Sequence, residues 1–485
     1  MIFNFKNIFE KKNFIEKNKN KIFDLIIIGT GPAAYVLYES LNKKNKNILV
    51  IEKGALDHSI NIDSKDKQSL ITNENYKIKK NSRISALGGT GNIWAGVSSY
   101  IEKFEMYSRW DKNINLWPIT HKEILNYYKE FKSRYLFKNL SLINDLKKKN
   151  RDNKLLRKRK FFSSTKPFRF NNINHYKESD LLINTSVKYL NNFKNKTCVE
   201  LEDNKTKIYS NKILVCCGGL ETNFLILRSI HNQRLNSAKN KSIVGKYFMD
   251  HPKFHLGIVR PKKSNLNFLK DVILKNYNKW IEYKGISLSE NIQVKKKLLN
   301  SYVRFEKYLF IELVNKIRKE KYNFKCYLKI LKLYFLKMLG KDFEYEKYKI
   351  TMYSEMVPSK TNRIIYKKIN KKDKFSISYK FSKKEFQTIN YLVNVLNKKL
   401  DIDWNNKLKL SEKNIESLLM DSSHHMGGTI MGTNKNNSFV DKNLQIHGVH
   451  NIYICSTSVF PTSGSFNPTM TLCSLAIKLA KHLNK

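Results

Sequence analysis

Two short segments near the C-terminus carry side chains suited to redox chemistry. His425 stands in His425-Met426-Gly427-Gly428-Thr429, and Asn467 in Ser465-Phe466-Asn467-Pro468-Thr469. The stretch they bracket is of a kind that needs a redox cofactor beside it, and a matching nucleotide-binding signal lies near the other end of the chain. There Leu25 to Ile28 forms a short apolar run, as expected of a strand buried on both faces, leading directly into Gly29-x-Gly31-x-x-Ala34. The glycines permit a tight turn and let a pyrophosphate approach the backbone. Ala34 lets the following helix pack close to the strand, so the free N–H groups at the helix N-terminus point at phosphate. A second apolar strand, Ile48 to Ile51, ends at Glu52. That places a carboxylate about twenty residues past the glycines, where it can accept hydrogen bonds from an adenosine ribose. An acid at this place favours a ribose without a 2′-phosphate, hence FAD or NAD over NADP.

The elements that must hold these residues can be followed along the chain. The first twenty residues are polar and basic and are expected to be a frayed or helical extension. The glycine-rich stretch Leu87 to Gly96, which includes Gly89, Thr90, Asn92 and Trp94, reads as either a cofactor-covering loop or a tight turn. Between about residues 178 and 217 strand patterns return, and Lys212 to Cys217 runs into Gly218-Gly219, a second backbone turn at the cofactor end of the same sheet. Residues 256–410 have a different texture. Leu328, Leu331, Phe335 and Leu339 recur at helical spacing among Lys325, Lys329, Lys332 and Lys337. The expectation is a helix packed on the core with a solvated lysine face; a helix lying on an anionic membrane is the alternative. Alternation in Arg363 to Tyr366 and Phe375 to Tyr379 predicts an antiparallel sheet. Leu472, Leu475, Ala476, Leu479, Ala480 and Leu483 predict a C-terminal amphipathic helix, with Pro468 and Thr469 at its start.

The chain has 485 residues and a formal net charge of +50, a balance that attracts polyanions. However, the basic residues are spread throughout and are mostly lysine, whereas bidentate phosphate recognition favours arginine. A specific nucleic-acid function is therefore not expected. The six cysteines show no Cys-x-x-Cys spacing and no zinc-type histidine cluster, and read as buried thiols in a reducing compartment. The N-terminus is a poor signal peptide, and a cytoplasmic location is expected.

Taken together, these motifs resemble the glucose-methanol-choline (GMC) oxidoreductases, most closely their sugar-dehydrogenase and pyranose-oxidase side. Besides the Gly29 to Glu52 unit and the Gly88 to Gly96 loop, the similarity includes Trp117-Pro118-Ile119, Gly218 to Asn223 and Val244 to Pro252. Its most specific part is C-terminal: His425-x-x-Gly428-Thr429-x-Met431-Gly432, Val440-Asp441, His447-Gly448-Val449, Ser458 to Thr462 and Asn467-Pro468-Thr469.

The resemblance implies an α/β fold: a discontinuous Rossmann-like FAD-binding domain (21–255 and 411–485) and an α+β substrate domain built on an antiparallel sheet (256–410), after a basic extension (1–20). It implies FAD held by Gly29, Gly31, Ala34, Glu52, Gly89, Thr90, Asn92, Trp94, Gly218, Ser456, Pro468 and Thr469. Some relatives attach their flavin through a histidine before the tryptophan; Asn92-Ile93-Trp94 has none, which implies non-covalent FAD. Ser456 stands where many relatives have an acid. His425 is expected to be a largely neutral base that takes the hydroxyl proton as hydride leaves a CH–OH carbon for flavin N5. Asn467 is expected to hold the same oxygen, and the helix after it to stabilise a reduced, anionic flavin. His424, His251 and His447 read as supporting residues. The partners implied are a small alcohol or sugar and, to reoxidise the flavin, either oxygen or a separate electron carrier, of which a carrier is favoured; peripheral membrane contact stays open. The rival reading is a basic surface-binding protein on a degenerate flavoprotein scaffold.

Overall fold

The computed structural model describes the chain except for residues 19, 45, 58–69, 73–77, 80–81, 108–116, 137–154, 194–195, 261, 263, 265, 274, 278–279, 320–323, 342–345 and 401–410. The architecture is mixed α/β, as expected. Its largest sheet has eight strands, in the order Ile2–Asn4, Asp180–Ile183, Ile48–Ile51, Ile22–Ile28, Lys207–Val215, Lys196–Leu201 and Val187–Phe193, with Ile452–Ile454 also pairing Lys207–Val215. The pairings from Ile2–Asn4 through Lys207–Val215 are parallel, as is that of Ile452–Ile454, whereas the last two are antiparallel. Ile48–Ile51 is buried throughout, which is why it reads as an unbroken apolar run and not as an alternation.

The start of the chain is helical over Ile8–Lys17, one of the two forms expected, but it is also built into the sheet. Ile2–Asn4 is an edge strand paired in parallel with Leu181 to Ile183, and Phe14 of the helix Ile8–Lys17 is buried beneath it against Phe3 and Phe23. The partner strand is remote in sequence, so local polarity alone could not reveal it.

A six-stranded antiparallel sheet contains Lys253–Val259, Tyr348–Tyr353, Tyr302–Lys307, Trp280–Leu288 and Lys275–Tyr277, with Leu156–Ser164 pairing Trp280–Leu288. The strand Leu156–Ser164 thus comes from the range expected to build the nucleotide layer. Its arginines are tolerated in the sheet because they are paired: Arg159, 4% exposed, meets Glu102 and Glu105, and Arg157 meets Glu102 and the Ser287 hydroxyl. The antiparallel pairing expected from Arg363 to Tyr366 and Phe375 to Tyr379 forms between the strands Arg363–Ile369 and Lys372–Ser378, in a separate three-stranded sheet with Leu70–Thr72. The boundary expected near residue 410 lies outside the described residues.

The C-terminal helix Pro468–Leu483 is buried almost from end to end between the helices Pro32–Ser40 and His121–Tyr135. The Tyr128 hydroxyl, 2.6 Å from Thr471 Oγ1, fixes its first turn. The N-termini of two helices, Pro32–Ser40 and Pro468–Leu483, border the same cleft.

The helix predicted around residue 330 is present as Phe324–Met338, but the expectation for its faces is overturned. Cys326, Leu333 and Leu336 face inward, while Leu328, Leu331, Phe335 and Leu339 are exposed. The helix is apolar on two sides, so its periodicity did not identify the packed one.

Candidate active site

A cavity of about 740 Å³ runs from the glycine turn to the C-terminal segment. Gly29 has φ +94, and a Cβ there would lie 2.7 Å from the Cys216 carbonyl oxygen, so only glycine lets the strand Ile22–Ile28 turn beside its neighbour. Beyond it, Gly31 caps the helix Pro32–Ser40 with open space where a side chain would be. Gly218, φ +76, likewise faces open space at the start of the helix Gly218–His231. Both turns therefore offer bare backbone to the cavity.

Glu52 clasps the first turn. One carboxylate oxygen accepts from the Thr30 N–H at 3.0 Å and the Thr30 hydroxyl at 2.6 Å, and the other from the Gly54 N–H at 2.8 Å. Burial pushes its pKa up, while these donors stabilise the anion and act the other way.

The structure brings Gly29, Gly31, Glu52, Gly89, Thr90, Trp94, Gly218, His425, Asn467, Pro468 and Thr469 to the lining of one cavity. Ala34, Asn92 and Ser456 do not line it. Ala34 is buried against the sheet. Asn92 turns inward to donate to the Leu87 carbonyl at 2.7 Å. Ser456 donates to the Gly218 carbonyl at 2.9 Å and so holds the second glycine turn from behind.

His425 and Asn467 reach the cavity by different routes. The Asn467 N–H donates to Ser99 Oγ at 2.9 Å, and its carboxamide has no hydrogen bond among the described residues, although it stands at the N-cap of Pro468–Leu483. The carboxamide is thus available to a ligand. The loop before it is anchored by the buried Glu105, which accepts from the Ser465 N–H at 2.7 Å and from Asn300 Nδ2 at 2.7 Å.

His425, 7% exposed, carries Nε2 at 3.2 Å from Asp421 Oδ1. Burial alone would lower its pKa, but the hydrogen bond and charge of Asp421, with Asp250 adding, outweigh burial and hold the imidazole above its ordinary value. His425 is therefore a stronger base than the largely neutral imidazole expected. Asp421 is held well below the usual carboxylate range: burial opposes this, and His425 and the Lys79 N–H, 2.9 Å from Oδ2, overcome it.

Asp250 ties the same turn together, accepting from the backbone N–H groups of His251, Ser422 and His424. Neither acid was identified in the sequence. Asp421 had a local signal, its place four residues before His425; Asp250 had none beyond its motif.

His424 also lines the cavity. Its Nδ1 is 3.0 Å from Nδ1 of His251, whose Nε2 lies 3.1 and 2.9 Å from the Ser463 and Gly464 carbonyl oxygens. Those carbonyls only accept, so His251 Nε2 carries the proton, His251 Nδ1 accepts from His424 Nδ1, and His424 Nε2 is left as a bare acceptor. Burial, then the neighbouring His251, push the His424 pKa well below the ordinary value and keep it neutral.

Tyr283, Tyr302 and Tyr353 from the antiparallel sheet also line the cavity, with the Arg304 guanidinium 4.0 Å from the Tyr283 ring centre. Lys53, Lys79, Arg83, Arg228 and Lys253 add positive charge around the cavity, and Arg83 and Arg228 are paired with Glu221 and Asp373. None of the six cysteines is in a disulfide; Cys216 and Cys217 line the cavity and the others are buried away from it. Among the described residues, no helix is long and apolar enough to cross a membrane.

Residues 358–476 match the GMC oxidoreductase family, which bears out over this segment the resemblance read in the sequence. Over 59 residues the chain is 36% identical to the fructose dehydrogenase large subunit of Gluconobacter japonicus, a match covering 12% of this chain and 11% of that protein. Among solved structures it is similar to pyridoxine 4-oxidase from Mesorbium loti, with TM-score 0.54, 12% identity, and 95% and 99% of the two chains covered. It is also similar to an FAD-dependent oxidoreductase from Chaetomium thermophilum (TM-score 0.57, 14% identity, 95% and 99% covered) and to formate oxidase variants of Aspergillus oryzae RIB40 (0.55, 14%, 95% and 98%). At these identities the likeness shows a shared fold.

Proposed function

We propose, from the place of residues 358–476 in the GMC oxidoreductase family, that this protein is an FAD-dependent oxidoreductase acting on a CH–OH group of a sugar or other alcohol. The observation that carries the reading is one cavity lined by both glycine turns, Glu52, His425 and Asn467, with the second glycine turn packed against the His425 backbone. The residues fit a dinucleotide. Gly31 and Gly218 leave their Cβ positions open toward the cleft, the helix Pro32–Ser40 presents free N–H groups, and basic side chains surround a space for pyrophosphate. Bound FAD would supply the two-electron acceptor for hydride.

The chain's own residues then divide the remaining work. His425 takes the hydroxyl proton, and Asp421 orients the ring and raises its basicity. The Asn467 carboxamide donates to the same oxygen. The N-terminus of Pro468–Leu483 favours negative charge at its end of the cavity. The tyrosine wall removes water from the reacting carbon. A second assignment of the base, His424, is favoured by one observation, its neutral ring with a bare Nε2.

The sugar class rests on the short match to fructose dehydrogenase. Asn92, which points inward, leaves no histidine in its loop to attach the flavin, and this supports non-covalent FAD. A separate electron carrier is the proposed acceptor, since a cytoplasmic peroxide producer would be hazardous. The test is a visible spectrum of the purified protein before and after acid precipitation. Flavin bands that move to the supernatant support the reading, and a colourless protein that takes up no added FAD refutes it.

A further inference from the structure

The helices Leu309–Lys319 and Phe324–Met338 pack on one another around Leu313, Cys326 and Leu333, a small core separate from the main one. The outer face of the second helix is apolar. Phe324, Tyr327, Leu328, Leu331, Phe335 and Met338 are 71%, 48%, 50%, 64%, 61% and 84% exposed. At about 100° per residue they span roughly a third of the helix circumference, opposite the buried Cys326 and Leu333. Phe310 and Ile311 of the first helix are exposed as well. A contiguous apolar strip of this kind on a water-soluble surface marks a binding face.

The charges around it indicate what binds. Phe324–Met338 contains Lys325, Lys329, Lys332 and Lys337 and no acidic residue, and Lys316, Arg318 and Lys319 stand in the last turn of the first helix, where Lys316 meets Glu312 at 3.7 Å. Lys325 and Lys332 run along one edge of the apolar strip, the arrangement of a helix lying in the plane of a membrane with apolar side chains in the acyl boundary and ammonium groups among anionic headgroups. A second copy of this chain fits less well, because a two-fold contact over this face would bring together two Phe324–Met338 helices that each carry four lysines and no acidic residue.

We infer that the helix Phe324–Met338 docks this protein in the interface of an anionic bilayer, inserting Leu331 and Phe335 while its lysines engage lipid phosphate. The inference does not depend on the catalytic reading, since it concerns a different surface and is measured without turnover.

The test is co-sedimentation of the full-length protein with phosphatidylcholine vesicles, with and without about 30% phosphatidylglycerol, alongside its mass in solution without lipid. The expected result is binding to the anionic vesicles that weakens with salt. Leu331→Glu/Phe335→Glu should lose at least about tenfold in affinity, and Lys325→Glu/Lys332→Glu a similar factor on anionic vesicles. The thermal midpoints of these exposed-site variants should be unchanged. No vesicle binding, equal binding to neutral vesicles, or indifference to Leu331→Glu/Phe335→Glu overturns the inference. So does a lipid-free dimer that this pair of substitutions converts to monomer, which would assign the face to a second copy.

Discussion

Replacing Asp421 by Asn isolates the coupling that makes His425 a strong base. The substitution keeps the side chain's shape but removes the charge 3.2 Å from His425 Nε2. A hydrogen bond to a charged partner contributes about 1.5–3 kcal/mol, and that support for the protonated imidazole is lost in the variant. Burial, the largest single influence on His425, is then opposed chiefly by Asp250 and pushes the imidazole down. In the wild type, kcat/KM should fall as pH drops through the raised His425 pKa; in Asp421→Asn that acid limb should move to lower pH. Turnover on the plateau should fall about tenfold or more, because the base is weaker and no longer oriented.

Stability follows the same titration. The stabilisation from charged His425 is fully present below its unfolded pKa of about 6.5 and is lost as pH rises through the higher folded value. The difference in thermal midpoint between wild type and variant should therefore be largest in mildly acid solution and shrink toward alkaline pH. The assay is the pH dependence of flavin reduction by substrate under anaerobic conditions, with flavin content measured in parallel. An acid limb that stays in place at unchanged flavin content would refute the role given to Asp421.

Gly31→Ala puts a methyl into the open cleft at a backbone conformation that alanine adopts freely, so FAD affinity should fall about tenfold or more while the FAD-free thermal midpoint stays put; a titration of released cofactor reads both. Glu105→Gln breaks its buried pair with Arg159 and weakens the hold on the loop before Asn467, and denaturant unfolding should show a loss of about 3–5 kcal/mol. His425→Ala should lower turnover at least about a hundredfold with FAD retained, whereas His424→Ala should cost less; the opposite ranking would transfer the proton-accepting role to His424.

The parts of this molecule that were legible in the sequence are those whose signals are local. The turn at Gly29 and Gly31 could be read because strand, glycines, helix and Glu52 all lie within one short stretch. The C-terminal helix was equally plain, since its stripe meets two helices that cover it almost completely. What could not be read depended on distant partners. Leu156–Ser164 looks too charged for a sheet until Glu102 and Glu105 are brought to its arginines. The basicity of His425 depended on a carboxylate whose position four residues earlier was visible but whose engagement was not. The helix Phe324–Met338 was recognised by its period, yet its two apolar faces made its orientation undecidable from spacing.

The most direct measurement is anaerobic titration of the purified protein, carrying FAD, with a panel of sugars and other alcohols while the flavin spectrum is followed. The account predicts that at least one of them bleaches the flavin fully, and that His425→Ala with the same FAD content bleaches at least about a hundredfold more slowly. Flavin that remains oxidised with every CH–OH compound tried, or that bleaches equally fast without the imidazole, would contradict it.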